Sequence, residues 1–228
     1  TLSNFFGTLE MKNDGFTNFN ATDRVKDSLP ISMQGGTLLL TGAPGLLSTE
    51  SLGAVTLVGG AASGGFNTIS AVPGSTGTAT LTLAGLSRAT TGSAVNFTGT
   101  NLGLNNYANT LVEGNSNIFI TANPSLTQNI IGGWAIVNGL DFATYTASGG
   151  VGALGSGGTF ANYDGTLMPT TSSNPTYNIN LNGNDNKLFG STSTRTYSNN
   201  CQGGNGAGGG ASNASGGAGG TAPCEISK

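Results

Sequence analysis

Asn67-Thr68-Ile69-Ser70-Ala71-Val72 and Thr78-Ala79-Thr80-Leu81-Thr82-Leu83 decide the fold class. Both runs alternate apolar with small polar residues and are rich in β-branched side chains. Between them lies Pro73-Gly74-Ser75-Thr76-Gly77, a segment of turn-forming residues. A period of two turns one face of a strand toward a core. The pattern recurs on either side of this pair. Before it come Gly7 to Met11, Gly36 to Thr41 and Ala54 to Val58. After it come Ala94 to Thr98, Asn117 to Ile120, Trp134 to Val137, Tyr177 to Leu181 and Lys187 to Phe189. No window of about 12 residues keeps a helical apolar period free of Gly and Pro. The fold class predicted is all-β.

The strand centres Leu39, Leu57, Ile69, Leu81, Phe97 and Phe119 are separated by 18, 12, 12, 16 and 22 residues. Such spacing suits either a sandwich of hairpins or a β-solenoid, in which two or three strands and their corners make one turn. The connections favour the solenoid. Tight-turn pairs are few: Asp14-Gly15, Asn138-Gly139, Asp164-Gly165 and Asn182-Gly183. Most links are loose Gly/Ser/Ala stretches such as Gly59 to Gly65. The strands are expected to stack in parallel, with inward aliphatic ladders through Leu39, Leu57, Ile69, Leu81, Val95 and Ile118.

Composition narrows the function. The 228 residues hold 40 Gly, only 7% charged residues and 36% hydrophobic residues, with a net charge of -3. Disordered chains combine low hydrophobicity with high net charge, which is not the case here. Membrane helices need roughly 18 consecutive apolar residues, and the apolar runs here are far shorter. There is no His, which removes a Ser-His-Asp triad and His-based metal sites. Seven Lys and Arg against ten Asp and Glu leave no electrostatic footprint for nucleic acid or anionic lipid. No catalytic, cofactor-binding or metal-binding residue is expected.

Cys201 and Cys224 are the only two cysteines. They flank a Gly-rich loop in a chain that otherwise avoids thiols, so a disulfide formed in an oxidising compartment is expected. An internal bond closing the loop is the first reading, and a bond between chains the second. The organisation expected is a stack over residues 1–148, a Gly-rich break with a continuation or small β unit over 149–200, and a Cys-bounded Gly-rich loop and tail over 201–228. The chain begins at Thr1 with no charged or apolar leader after it, which is expected to reflect a cut.

Several phrases then fall in order. Asp23-Arg24-Val25 is followed by Gly35-Gly36-Thr37-Leu38-Leu39-Leu40-Thr41-Gly42. Glu50-Ser51-Leu52-Gly53-Ala54-Val55-Thr56-Leu57, Phe66-Asn67-Thr68-Ile69 and Ala94-Val95-Asn96-Phe97-Thr98-Gly99 come next. Ile131-Gly132-Gly133-Trp134-Ala135-Ile136-Val137-Asn138-Gly139-Leu140-Asp141-Phe142-Ala143 closes the series. Over Arg24 to Tyr145 the chain resembles the autotransporter-associated β-strand repeats of large bacterial surface proteins. The resemblance implies a right-handed parallel β-helix in the exported part of a long bacterial protein, and it supplies no catalytic residues. The Cys-bounded loop is outside its pattern.

Four local features are weighed against that reading. Asp23 and Asp27, interleaved with Arg24 and Lys26, read as a solvated corner rather than a carboxylate pair for polysaccharide cleavage. Asn182 to Leu188 resembles one calcium-binding β-roll turn, but it is a single copy and reads as an Asn/Asp-rich turn. Trp134 is expected to pack at the end of a strand rather than serve as a sugar platform. The acceptor triplets at Asn20, Asn96 and Asn213 are expected to be unmodified.

The function expected is a non-enzymatic, extracellular structural segment: a rigid spacer, an adhesin passenger or a fibre protomer. Its expected partners are copies of itself or adjacent segments end to end, and host or matrix glycans, without nucleic acid or membrane insertion. The alternative is a carbohydrate-binding or polysaccharide-cleaving module on the same scaffold.

Overall fold

The chain is described by a computed structural model, which defines residues 1–13, 20–59, 65–104 and 111–163, and the backbone of four short strands beyond them. The described residues are all-β, with no helix. They divide into two compact units, residues 1–161 and 162–228.

In the first unit the strands are β1 (Leu2–Phe5), β2 (Thr8–Lys12), β3 (Ile31–Gln34), β4 (Thr37–Thr41), β5 (Leu47–Leu52), β6 (Val55–Leu57) and β7 (Phe66–Val72). They continue as β8 (Thr78–Leu83), β9 (Leu86–Arg88), β10 (Ala94–Gly99), β11 (Asn115–Ile120), β12 (Ala135–Val137), β13 (Asp141–Thr146) and β14 (Gly150–Ala153). Three sheets take these strands in rotation. Sheet A is β1-β3-β6-β9, sheet B is β2-β4-β7-β10-β12-β13-β14, and sheet C is β5-β8-β11. Every pairing among β1 to β12 is parallel.

Parallel pairing in register lines up inward side chains from one strand to the next. Sheet B stacks Leu9, Leu38, Ile69, Phe97 and Val137. Sheet A stacks Leu2, Ile31, Val55 and Leu86. Sheet C stacks Leu52, Leu83 and Ile120 beside Leu81 and Ile118. All but Leu2, Leu9 and Leu86 are buried in one apolar core. Each such burial stabilises by about 1.5–3 kcal/mol.

Five of the six expected ladder residues, Leu57, Ile69, Leu81, Val95 and Ile118, are buried. Leu39 is a correction: Leu38 and Leu40 face the core, and Leu39 lies half-buried on the outer side opposite Ser70. Three consecutive leucines carry no alternation, so pairing with β7 chooses the phase, and a slip of one residue exchanges the faces.

The corners stack as closely as the strands. A Cβ on Gly53 would lie 2.1 Å from the Leu29 carbonyl oxygen, and one on Gly74 would lie 2.4 Å from the Ala43 carbonyl carbon. These turns pass backbone directly over backbone, which only a residue without a side chain permits.

The parallel run ends at Asn138-Gly139. Both residues have positive φ (51° and 70°), and Leu140 N–H donates to Val137 O at 3.0 Å. This is the mirror-image turn that joins antiparallel strands, and β13 and β14 accordingly run antiparallel. Gly149 to Gly158, expected as a flexible break, contains β14 with Val151 fully buried, and the compact unit runs on to Ala161 rather than ending at residue 148.

In the second unit, β15 (Ile179–Leu181) pairs in parallel with β17 (Cys201–Gly203), and β16 (Arg195–Tyr197) pairs antiparallel with β18 (Cys224–Ile226). The side chains of Cys201 and Cys224, the turn from Asn182 to Leu188, Asn213 and the loop over 204–223 lie outside the described residues.

Candidate functional site

Sheets A and B begin with β1 and β2, whereas sheet C begins one pass later, with β5. Residues 20–25 lie against β5 through polar side chains. Asn20 donates its amide to Leu47 O at 2.7 Å and accepts the Ser48 hydroxyl at 2.7 Å. Ser48 in turn accepts Ala43 N–H at 2.9 Å. Asn13 Oδ1 accepts Ala21 N–H at 3.1 Å and the Arg24 guanidinium at 2.6 Å.

Glu50 is the centre of this cluster. It stands in line with the buried Leu81 and Ile118, on the inner side of sheet C, and is only 1% exposed. Its carboxylate accepts the N–H of Val25 at 2.9 Å and of Arg24 at 3.0 Å. Burial pushes its pKa up and is the largest influence. The two N–H bonds and the Arg24 charge act against that rise, and Asp23 adds to it. A carboxylate so enclosed is an acceptor for backbone groups and cannot reach a solvent-borne substrate. Sequence reading placed Glu50 only inside a phrase. Its signal is a lone acid at an inward position of an alternating run.

Asp23 and Asp27, the acids singled out by sequence, are exposed. Among the described residues no group of three or more Cys, Asp or Glu is placed to hold a metal ion. Asn20 is engaged as above, and Asn96 Oδ1 accepts Gly139 N–H at 3.0 Å. Trp134 packs partly buried against the core, and the Arg88 guanidinium sits 5.8 Å from its ring centre. Arg88 also donates to Ser93 O at 2.7 Å, and burial lowers its pKa.

The outer face of sheet B is the other organised surface. Thr8, Thr37, Thr68 and Asn96 form one column across four strands. Two residues earlier in the same register stand Phe6, Gly35, Phe66 and Ala94. Phe6 is 73% exposed and Phe66 51% exposed. The Phe6 ring lies over Gly35, where a Cβ would come within 2.7 Å of Cδ1 and Cε1.

No protein-family model, curated protein or solved structure matches the chain. Among the described residues no helix is long and apolar enough to cross a membrane.

Proposed function

We propose that the chain is a non-enzymatic structural segment of a bacterial surface or extracellular protein, serving as a rigid spacer or passenger, with the parallel strands β1 to β12 wound as a right-handed parallel β-helix. The observation that carries this reading is the parallel, in-register rotation through sheets A, B and C. Strands stacked about 4.8 Å apart, with backbone corners in direct contact, resist bending because displacing one strand breaks the hydrogen bonds of its whole row. A surface of Thr, Ser and Asn columns with few charges needs no helices to stay hydrated. The resemblance over Arg24 to Tyr145 points the same way.

Antibody labelling and protease shaving of intact cells test the location: the chain should be reached from outside, and a chain confined to the cytosol would end the proposal. A crystal structure would decide the handedness. The proposed Cys201–Cys224 disulfide fits an oxidising compartment. On a non-reducing gel a monomer band whose mobility changes on reduction is expected, and a reducible ladder would instead mean bonds between chains.

A further inference from the structure

We propose that β2 is a docking edge for a second copy of this chain, which pairs with it antiparallel about a two-fold axis at Met11 and so makes a closed, head-to-head dimer. Among the described residues β2 ends sheet B, with β4 on one side and no strand on the other. Asn13 N–H donates to Thr41 O and Gly7 O accepts Thr37 N–H, each at 2.8 Å, so the odd-numbered positions turn their backbone groups to β4. A period of two then turns the N–H and C=O of Thr8, Glu10 and Lys12 to the open side. A row of such groups is a template for another strand.

The core is also incomplete at this end. Leu9 stands on the inner side of sheet B and is only half-buried, whereas Leu38, Ile69 and Phe97 in the same ladder are fully buried. The other end of the stack is closed. There β13 and β14 run antiparallel, and the Tyr145 hydroxyl bonds both Ile120 N–H and Ile120 O. A head-to-tail fibre needs both ends open. The partner that fits is therefore the same edge of another copy, an isologous contact that closes on itself.

The charges select the register. Antiparallel pairing brings the open-side positions of β2 opposite those of its copy, which puts the two-fold axis on a residue. An axis on Glu10 or on Lys12 opposes that residue to itself, and like charges directly opposite are destabilising. An axis on Leu9 leaves both charges facing uncharged residues. An axis on Met11 sets Glu10 against the partner's Lys12 and Lys12 against the partner's Glu10, each pair exchanging both of its backbone hydrogen bonds. Both side chains are exposed, and Glu10 Oε1 accepts the Thr41 hydroxyl at 2.8 Å, which leaves Oε2 for the partner. On the inner side Met11 meets the partner's Met11 and continues the ladder of Leu40.

The inference adds a partner to the structural reading but rests on strand geometry, so a cytosolic location would end that reading without touching this one. Sedimentation velocity of the purified full chain, in reducing buffer to exclude bonds through Cys201 and Cys224, reads the oligomeric state. A dimer that weakens at high salt is expected. Glu10→Lys and Lys12→Glu should each weaken it by about tenfold or more. Glu10→Lys combined with Lys12→Glu restores both pairs and should recover wild-type dimerisation. An equimolar mixture of the two single variants should form a mixed dimer. Circular dichroism melts confirm that each variant folds. A wild type that stays monomeric at about 100 μM, where even a weak complex assembles, would overturn the proposal. So would a dimer indifferent to the charge exchanges, and so would species that grow beyond two chains.

Discussion

Glu50 accepts the backbone N–H of Val25 at 2.9 Å from within the protein core. One inward position of sheet C thus carries a carboxylate where the next two strands carry Leu81 and Ile118. The irregular segment above it has no strand partner of its own, and the acid supplies the acceptors that its N–H groups need. Glu50→Ala should therefore destabilise the first unit by about 1–3 kcal/mol, the cost of leaving such donors unpaired. Glu50→Gln keeps an acceptor and should cost less. Urea unfolding of both variants measures the difference.

Burial raises the Glu50 pKa above its ordinary 4.5, so the native state takes up this proton more readily than the unfolded chain. The resulting stabilisation is fully present below 4.5 and is lost as the pH rises through the elevated native value. Wild type minus Glu50→Gln, measured as unfolding free energy across a pH series, should fall as pH rises through that window. A flat difference would show that the N–H bonds and Arg24 fully offset the burial.

Backbone crossings make Gly53 and Gly74 irreplaceable in a way that Gly85 is not. A Cβ on Gly85 meets nothing closer than 3.7 Å, against 2.1 Å at Gly53. Gly53→Ala and Gly74→Ala should each cost about 1–3 kcal/mol or more through overpacking. Gly85→Ala should stay near neutral in the same thermal melts.

Tyr145 seals the far end of sheet C. Its hydroxyl donates to Ile120 O at 2.8 Å and accepts Ile120 N–H at 3.2 Å. Tyr145→Phe leaves both groups without that partner and should cost about 1–3 kcal/mol. Hydrogen exchange at the Ile120 amide should accelerate, while amides of β3 and β6 should be unaffected.

Replacing Phe6 with Gly tests the strain directly. The φ of 54° suits glycine, so the variant should be neutral or more stable, by up to about 1 kcal/mol. A clear loss of stability would mean that the packing of the ring over Gly35 outweighs the backbone strain.

Local chemistry alone placed most of the strands. Thr78 to Leu83 alternates so regularly that its bounds coincide with β8, and Asn138-Gly139 signals the reversal that ends the parallel run. Those features were legible because a period of two and a turn with positive φ are properties of neighbouring residues. The strands β1, β3, β5, β9 and β13 were not among the runs read, because polar residues or short length blur their alternation.

Tertiary pairing decided the rest. Whether Leu38 or Leu39 faces inward depends on the pairing of Thr37 with Thr68, a contact far along the chain. Gly150 to Ala153 reads as a linker, and it becomes a strand because β13 and the end of β11 offer partners and bury Val151. Alternation puts Glu50 at an inward position, but it can stay there only because residues 20–25 lie over the first strand of sheet C and bring two N–H groups to it. Alternation determines that a strand has an inside. Only the register between strands determines which residues occupy it, because backbone hydrogen bonds form with equal ease in either phase and side-chain burial breaks the tie.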